Sequence, residues 1–159
     1  MLPIIIKFAP NNLGRVIFEA QVMTGDRKSL GDIRFKYDSG SDFTTISCDD
    51  LRRLGYSQEF LKSCPYHNSE ITLAMGENKT ALQYITNISI KFGDRELQHC
   101  RIFFALGSTL RSLFGSDILK YFDREISYSL GELRLLKRCD TPPLSKGEVP
   151  IHIYSVEKN

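Results

Sequence analysis

Long apolar runs are missing from this sequence. The longest near the N-terminus is Ile4-Ile5-Ile6, closed off by Pro3 and Lys7. So short a run can neither cross a bilayer nor serve as the apolar stretch of a secretory signal. No membrane partner is expected, and the compartment expected is cytoplasmic and reducing. A dominant charge is missing as well: 21 basic and 19 acidic residues leave a net charge of +2, with both signs interspersed. No basic stripe with interleaved aromatics is present, so nucleic acid is not expected as a partner. Cysteine is sparse, and Cys48, Cys64, Cys100 and Cys139 are expected to be free thiols. Cys64 and His67 have a metal-knuckle spacing, and His99 adjoins Cys100. No second knuckle accompanies them, and adjacent residues on a strand point to opposite faces. No metal or cofactor is expected. Internal repeats and low-complexity tracts are also absent.

What is present suits one domain. A chain of 159 residues can bury a core of its own but is short for two. Its 42% hydrophobic and 25% charged residues are those of a globular protein. Ile4 to Phe8 favours a strand bracketed by Pro3 and Pro10. From Arg15 to Met23, Val16, Phe18, Ala20 and Val22 share one face, with Glu19 and Gln21 on the other. A turn at Thr24-Gly25-Asp26-Arg27 leads into a second strand, where Ile33, Phe35 and Tyr37 alternate with Arg34 and Lys36. Ser47 can cap a short helix, with Asp50 at the capping-box spacing and Gly55 as its stop. A second helical turn starts at Ser57 and ends before Pro65. Ile71 to Phe92 reads as a long hairpin turning at Met75-Gly76-Glu77-Asn78-Lys79. Strands follow at Leu97 to Leu106 and around Ile126 and Tyr128, with a return through Leu133 and Leu135. A short helix is expected from Ser116 to Tyr121 and a terminal strand between Val149 and Val156. The expected class is mostly β, with short helices.

Two segments carry chemistry. The first, Tyr37-Asp38-Ser39-Gly40-Ser41-Asp42, puts a carboxylate at the end of a strand, followed by a hydroxyl and a glycine. Gly40 has no Cβ, so the backbone there can turn tightly or approach another group. By itself Asp-Ser-Gly is ordinary turn composition. The second, Leu113-Phe114-Gly115-Ser116-Asp117, has two apolar residues, a glycine and an Asp ahead of a helical start.

Together, in this order and with strands between them, the two segments resemble the signatures of the retropepsin-like aspartic proteases, single-domain relatives of pepsin. The similarity runs from about Arg15 to Lys137. It divides the chain into an N-terminal arm at 1–14, a protease domain at 15–137, and a C-terminal linker and tail at 138–159. The resemblance implies a closed β-barrel of the acid-protease type, acting as a homodimer on a peptide or protein substrate. It makes Asp38 the catalytic carboxylate. Ser39 would brace the two catalytic loops, Gly40 would present backbone to substrate, and Ser41 would sit beside the carboxylate. Asp42 would contact substrate backbone. Gly115 and Asp117 would support the loop from behind, and Met75, Gly76 and Glu77 would form the tip of a substrate-covering flap.

Peptide hydrolysis by carboxylates needs two of them, one ionised and one protonated. This chain has a single Asp-Ser-Gly, so Asp38 needs a partner from a second copy. Three readings stay open at this level. One is an aspartic endopeptidase. Another is a peptide-binding or assembly module on the same fold with little turnover. The third is a monomeric β-barrel in which Asp-Ser-Gly is only a turn. The terminal strands suit either an intersubunit sheet or edges within one subunit. The Ser41 hydroxyl has two candidate acceptors: the outer oxygen of Asp38, or the backbone of its own turn.

Overall fold

The alternating strands form where their apolar faces can be buried. In the computed structural model, residues 2–9, 14–26, 28–72, 79–145 and 147–155 are described, with backbone only for 68–72 and 79–80. The strands are β1 (Ile4–Lys7), β2 (Ile17–Thr24), β3 (Ser29–Tyr37), β4 (Tyr66–Thr72) and β5 (Lys79–Phe92). They continue as β6 (Arg95–Phe104), β7 (Leu113–Phe114), β8 (Phe122–Ser127), β9 (Glu132–Lys137) and β10 (His152–Ser155). Three short helices, α1 (Cys48–Arg53), α2 (Gln58–Ser63) and α3 (Ser116–Leu119), fill between them. No described helix is long and apolar enough to cross a membrane.

The strands make two sheets. One has the order β1-β9-β8; the other runs β10-β6-β5-β2-β3-β7, with β4 paired to β5. The larger sheet is a curled half-barrel whose named-strand path ends at β10 and β7, with Thr45 bridged both to Leu113 of β7 and to Phe103 of β6. β2 and β3 are antiparallel, with Phe18 opposite Phe35 and Ala20 opposite Ile33. Val16, Phe18, Ala20, Val22, Ile33 and Phe35 are all buried, as the alternation predicts.

The helix signals also act as expected, with one addition. The Ser47 side chain accepts from the Asp50 N–H at 3.1 Å. Asp50 does not reach back to the Ser47 N–H itself. Ser112 relays instead: its hydroxyl accepts from the Ser47 N–H at 3.0 Å and donates to Asp50 Oδ2 at 2.6 Å. Gly55 ends α1 at φ +101°, a conformation that costs a glycine little. Ser57 caps α2 by accepting from the Phe60 N–H.

Several boundaries differ from expectation. β4 begins at Tyr66 rather than Ile71. Tyr128 lies beyond β8 in the turn, and its ring packs edge-on against Phe8 at 6.3 Å. Both terminal strands pair within the chain: β1 with β9, and β10 with β6. Each takes an edge position that antiparallel pairing can extend without a crossover.

Four rings centre the core beneath the site. Phe18 lies 6.1 Å from Phe35, 5.7 Å from Phe92 and 5.4 Å from Phe114. Phe35 and Phe114 meet edge to face at 5.8 Å. β7 is only two residues long, so its place rests on Phe114, which is fully buried. Replacing Phe114 by Ala should therefore cost about 3–5 kcal/mol. Urea denaturation reads this directly, and a loss under about 1 kcal/mol would show that the cluster does not anchor β7.

Candidate active site

Asp38 follows directly on β3 and is half-exposed, with Ser39 and Gly40 exposed beside it. The Ser41 N–H donates to the Asp38 carbonyl at 3.1 Å and closes the four-residue turn. The Gly40 N–H donates to Asp38 Oδ1, also at 3.1 Å. One backbone amide, that of Gly40, thus orients the carboxylate, and the turn's other amide bonds fix the main chain that carries it. The Asp38 N–H donates to the Phe114 carbonyl at 3.0 Å, joining the turn to β7.

β7 is threaded between the two limbs of the loop. On one side Lys36 and Tyr37 run parallel to Leu113 and Phe114. On the other Thr45 pairs antiparallel with Leu113, through Thr45 N–H to Leu113 O at 2.9 Å and the reverse bond at 3.1 Å. The chain leaves β3, passes around the tip at Asp38, and returns along the far side of β7. Such a loop cannot widen without breaking one ladder or the other.

Gly115 is where that geometry is tightest. A Cβ there would lie 2.4 Å from the Phe43 carbonyl oxygen and 2.9 Å from that of Ser41. Those atoms are backbone and cannot rotate aside. By contrast, a Cβ on Gly40 would meet Asp38 Oδ1 at an ordinary 3.4 Å. Of these two glycines, Gly115 is the one required by close approach of backbone. The Ser116 N–H uses that proximity to donate to the Ser41 carbonyl at 2.8 Å.

Asp117 holds the loop from behind, through a residue that motif reading missed. The buried Thr44 hydroxyl donates to Asp117 Oδ1 at 2.6 Å and accepts from the Gly115 N–H at 3.1 Å. The Ile118 N–H also donates to Asp117 Oδ1, at 3.0 Å. Burial pushes the Asp117 carboxyl above the usual carboxylate range; the bonds from Thr44 and Ile118 oppose this, and the Glu148 charge adds to it. The available signal for Thr44 was a β-branched hydroxyl residue where the loop re-enters the sheet.

Ser41 takes the second of its two candidate acceptors. Its hydroxyl donates to the Phe43 carbonyl at 2.8 Å, so the expected bond to the outer oxygen of Asp38 is not made. The reason is local: Phe43 O lies two residues ahead on the same turn, where a serine reaches it without reorganising the loop. Asp42 is exposed on the same turn. Met75, Gly76 and Glu77 lie outside the described residues; β4 and β5, which flank them, are paired from Thr72 opposite Lys79. The base of this hairpin touches the loop. Phe43 meets the ring of His67, on β4, at 5.0 Å, and that of Phe103 at 4.7 Å.

Among the described residues no three His, Cys, Asp or Glu side chains are grouped to hold a metal. Cys64 is buried with its thiol directed to the Phe60 carbonyl, whereas His67 packs among rings. The cysteines are free thiols.

The fold has a structural counterpart. The chain is similar to the crystal structure of a retropepsin-like aspartic protease from Rickettsia conorii. The identity is 27%, the match covers 84% of this chain and 89% of that one, and the TM-score is 0.55. A looser likeness, at 19% identity and a TM-score of 0.46, is to the EIAV protease in complex with an inhibitor; it covers 69% of this chain and 89% of that one. No protein-family model matches the chain, and no curated protein matches it. The fold is retropepsin-like.

The Asp117 brace makes a pH-dependent prediction. A carboxyl raised in the folded state is costly once ionised, so it takes stability away as pH rises through the ordinary carboxylate value of about 4. Asp117→Asn keeps an oxygen for Thr44 and Ile118 but never ionises. Its stability should match the wild type below about pH 4 and exceed it increasingly above, levelling off past the folded-state value. Asp117→Ala strands both donors and should cost about 1–3 kcal/mol. Urea midpoints at acid and neutral pH separate the two, and an Asn variant less stable than wild type at neutral pH would contradict the assignment.

Proposed function

We propose that this chain is one subunit of a homodimeric aspartic endopeptidase, with Asp38 of each subunit contributing one carboxylate to a shared site. The observation that carries the reading is the Asp38 turn itself. One half-exposed Asp38 carboxylate is held by the Gly40 amide on a loop that β7 and Asp117 lock in place. A rigid, accessible carboxylate is what acid–base chemistry needs and what a plain turn does not. The likeness to an aspartic protease over 84% of the chain supports the same reading.

Two carboxylates in contact cannot both ionise, so the pair holds one proton; this is the established device of aspartic proteases as a class. The ionised member takes a proton from a water molecule, which adds to the peptide carbonyl carbon. The protonated member gives its proton to the carbonyl oxygen. The tetrahedral intermediate collapses as the carboxyl that took the water proton gives it to the nitrogen, the other carboxylate takes a proton from one of the intermediate's hydroxyls, and the C–N bond breaks. No metal or cofactor enters these steps. Ser39, exposed at the tip, would brace the partner loop, and Gly40 and Asp42 would meet substrate backbone. Met75, Gly76 and Glu77 would cover it as a flap. The outer edges of β1 and β10 remain candidates for contact between subunits.

The deciding experiment is Asp38→Asn, which keeps the size and removes the ionisable group. Cleavage of a peptide library should fall by several orders of magnitude, on the order of 10⁴-fold or more, with the fold retained by circular dichroism. A variant that cuts as fast as wild type ends the protease reading. Shared sites also make specific activity depend on concentration. It should fall on dilution below the dimer dissociation constant, tracked in parallel by sedimentation. Full activity from a species that sediments as a monomer would sink the shared site while leaving Asp38 in place.

A further inference from the structure

The C-terminal segment folds back behind the candidate site, and an acid with a largely buried side chain, Glu148, sits against the helix that carries Asp117. Glu148 has a side chain only 8% exposed. Its Oε1 accepts from Lys120 Nζ at 2.7 Å and from the Ser145 hydroxyl at 2.9 Å; its Oε2 accepts from the Tyr121 hydroxyl at 2.9 Å. Arg101 adds a longer-range cation at 4.0 Å. A small cleft here is lined by His99, Arg101, Asp117, Tyr121 and Glu148 together. The flanking chain is fixed as well. Lys120 Nζ donates to the Pro143 carbonyl at 3.1 Å, and β10 continues the segment as a strand on β6.

Lys120 and Tyr121 follow α3 directly. That helix is four residues long, too short to be stable unaided. Its N-terminal end is bonded to the catalytic loop through Gly115, Ser116 and Asp117. Its C-terminal end is bonded to Glu148 through Lys120 and Tyr121, and to Arg138, whose Nη1 donates to the Lys120 carbonyl at 3.0 Å. The helix is therefore a strut between the loop and the tail.

We infer that Glu148 is a positioning residue for the Asp38 loop, acting through α3 and the Gly115–Asp117 contacts. Resting on the protease reading for its kinetic part, the assignment also has a structural part that is independent of it. Burial pulls the Glu148 carboxyl up, but the bonds from Lys120, Ser145 and Tyr121 outweigh burial and hold it below the usual range, so it is the charged form that anchors the strut.

The test compares the full chain with Glu148→Ala and Glu148→Gln, reading amide hydrogen exchange residue by residue and peptide cleavage. In Glu148→Ala, exchange at the Gly115 and Ser116 amides should speed up on the order of tenfold or more, while the Tyr37 amide, bonded to Val16 O across β2 and β3, stays protected. Turnover should show a kcat lower by roughly tenfold with KM within about twofold, because loop geometry rather than substrate binding is loosened. Glu148→Gln keeps one acceptor oxygen, for Lys120, and can offer an N–H to the Tyr121 oxygen, but lacks the charge, so it should recover only part of both effects. If Glu148→Ala does not fold, Tyr121→Phe removes one bond to the same carboxylate and should move the same amides in the same direction. Exchange at Gly115 and Ser116 that is unchanged, or that rises only in step with every other amide, overturns the assignment. A wild type without peptidase activity ends the protease reading, and the exchange pattern then decides the strut alone.

Discussion

Backbone meeting backbone at Gly115 is the contact on which the rest of this structure depends. There the start of α3 comes within reach of the Ser41 and Phe43 carbonyls, and no side chain fits between. That approach lets the Ser116 N–H bond the loop and lets Thr44 stand between Gly115 and Asp117. Shape is set by exclusion of atoms, and hydrogen bonds then use the space that exclusion defines. Asp38 is aimed by this frame and not by the cost of any single strong interaction.

Much of the frame was legible in the sequence because it depends on local chemistry. The alternation of Val16 to Val22 and of Ile33 to Tyr37 appears directly as buried and exposed faces. Ser47, Gly55 and Ser57 act within a turn of themselves, so their capping roles could be read from spacing. The Asp38 and Gly115 segments could be paired because each has a compact pattern. Other features had no local signature. Thr44 earns its role from a partner 73 positions away. Glu148 lies in a segment of prolines, lysine and glycine that reads as a solvated linker, and its partners Lys120 and Tyr121 lie 28 and 27 positions back. The start of β4 at Tyr66-His67-Asn68-Ser69 has no apolar alternation, so pairing with β5 alone makes it a strand.

The two chain ends illustrate how pairing partners override composition. Read alone, Ile4 to Phe8 and Ile151 to Tyr154 are apolar strands with no assigned neighbour. In the structure each completes an edge within the chain, β1 against β9 and β10 against β6. They thereby widen the two sheets, bury Ile4, Ile6 and Phe8, and bring the tail into register behind α3. The termini are thus part of the scaffold that carries the loop.

The separation of the loop's contacts along the chain has a kinetic consequence. Thr45 to Leu113, Gly115 to Thr44 and Thr44 to Asp117 all join segments about seventy residues apart. A polymer closes loops of that size slowly, and topologies dominated by such contacts fold in milliseconds to seconds rather than microseconds. β7 cannot thread between the two limbs until both limbs and the intervening hairpin exist. The carboxylate at Asp38 therefore acquires its fixed orientation late, when nearly the whole chain has condensed, and a partly folded chain carries an acid with no set direction.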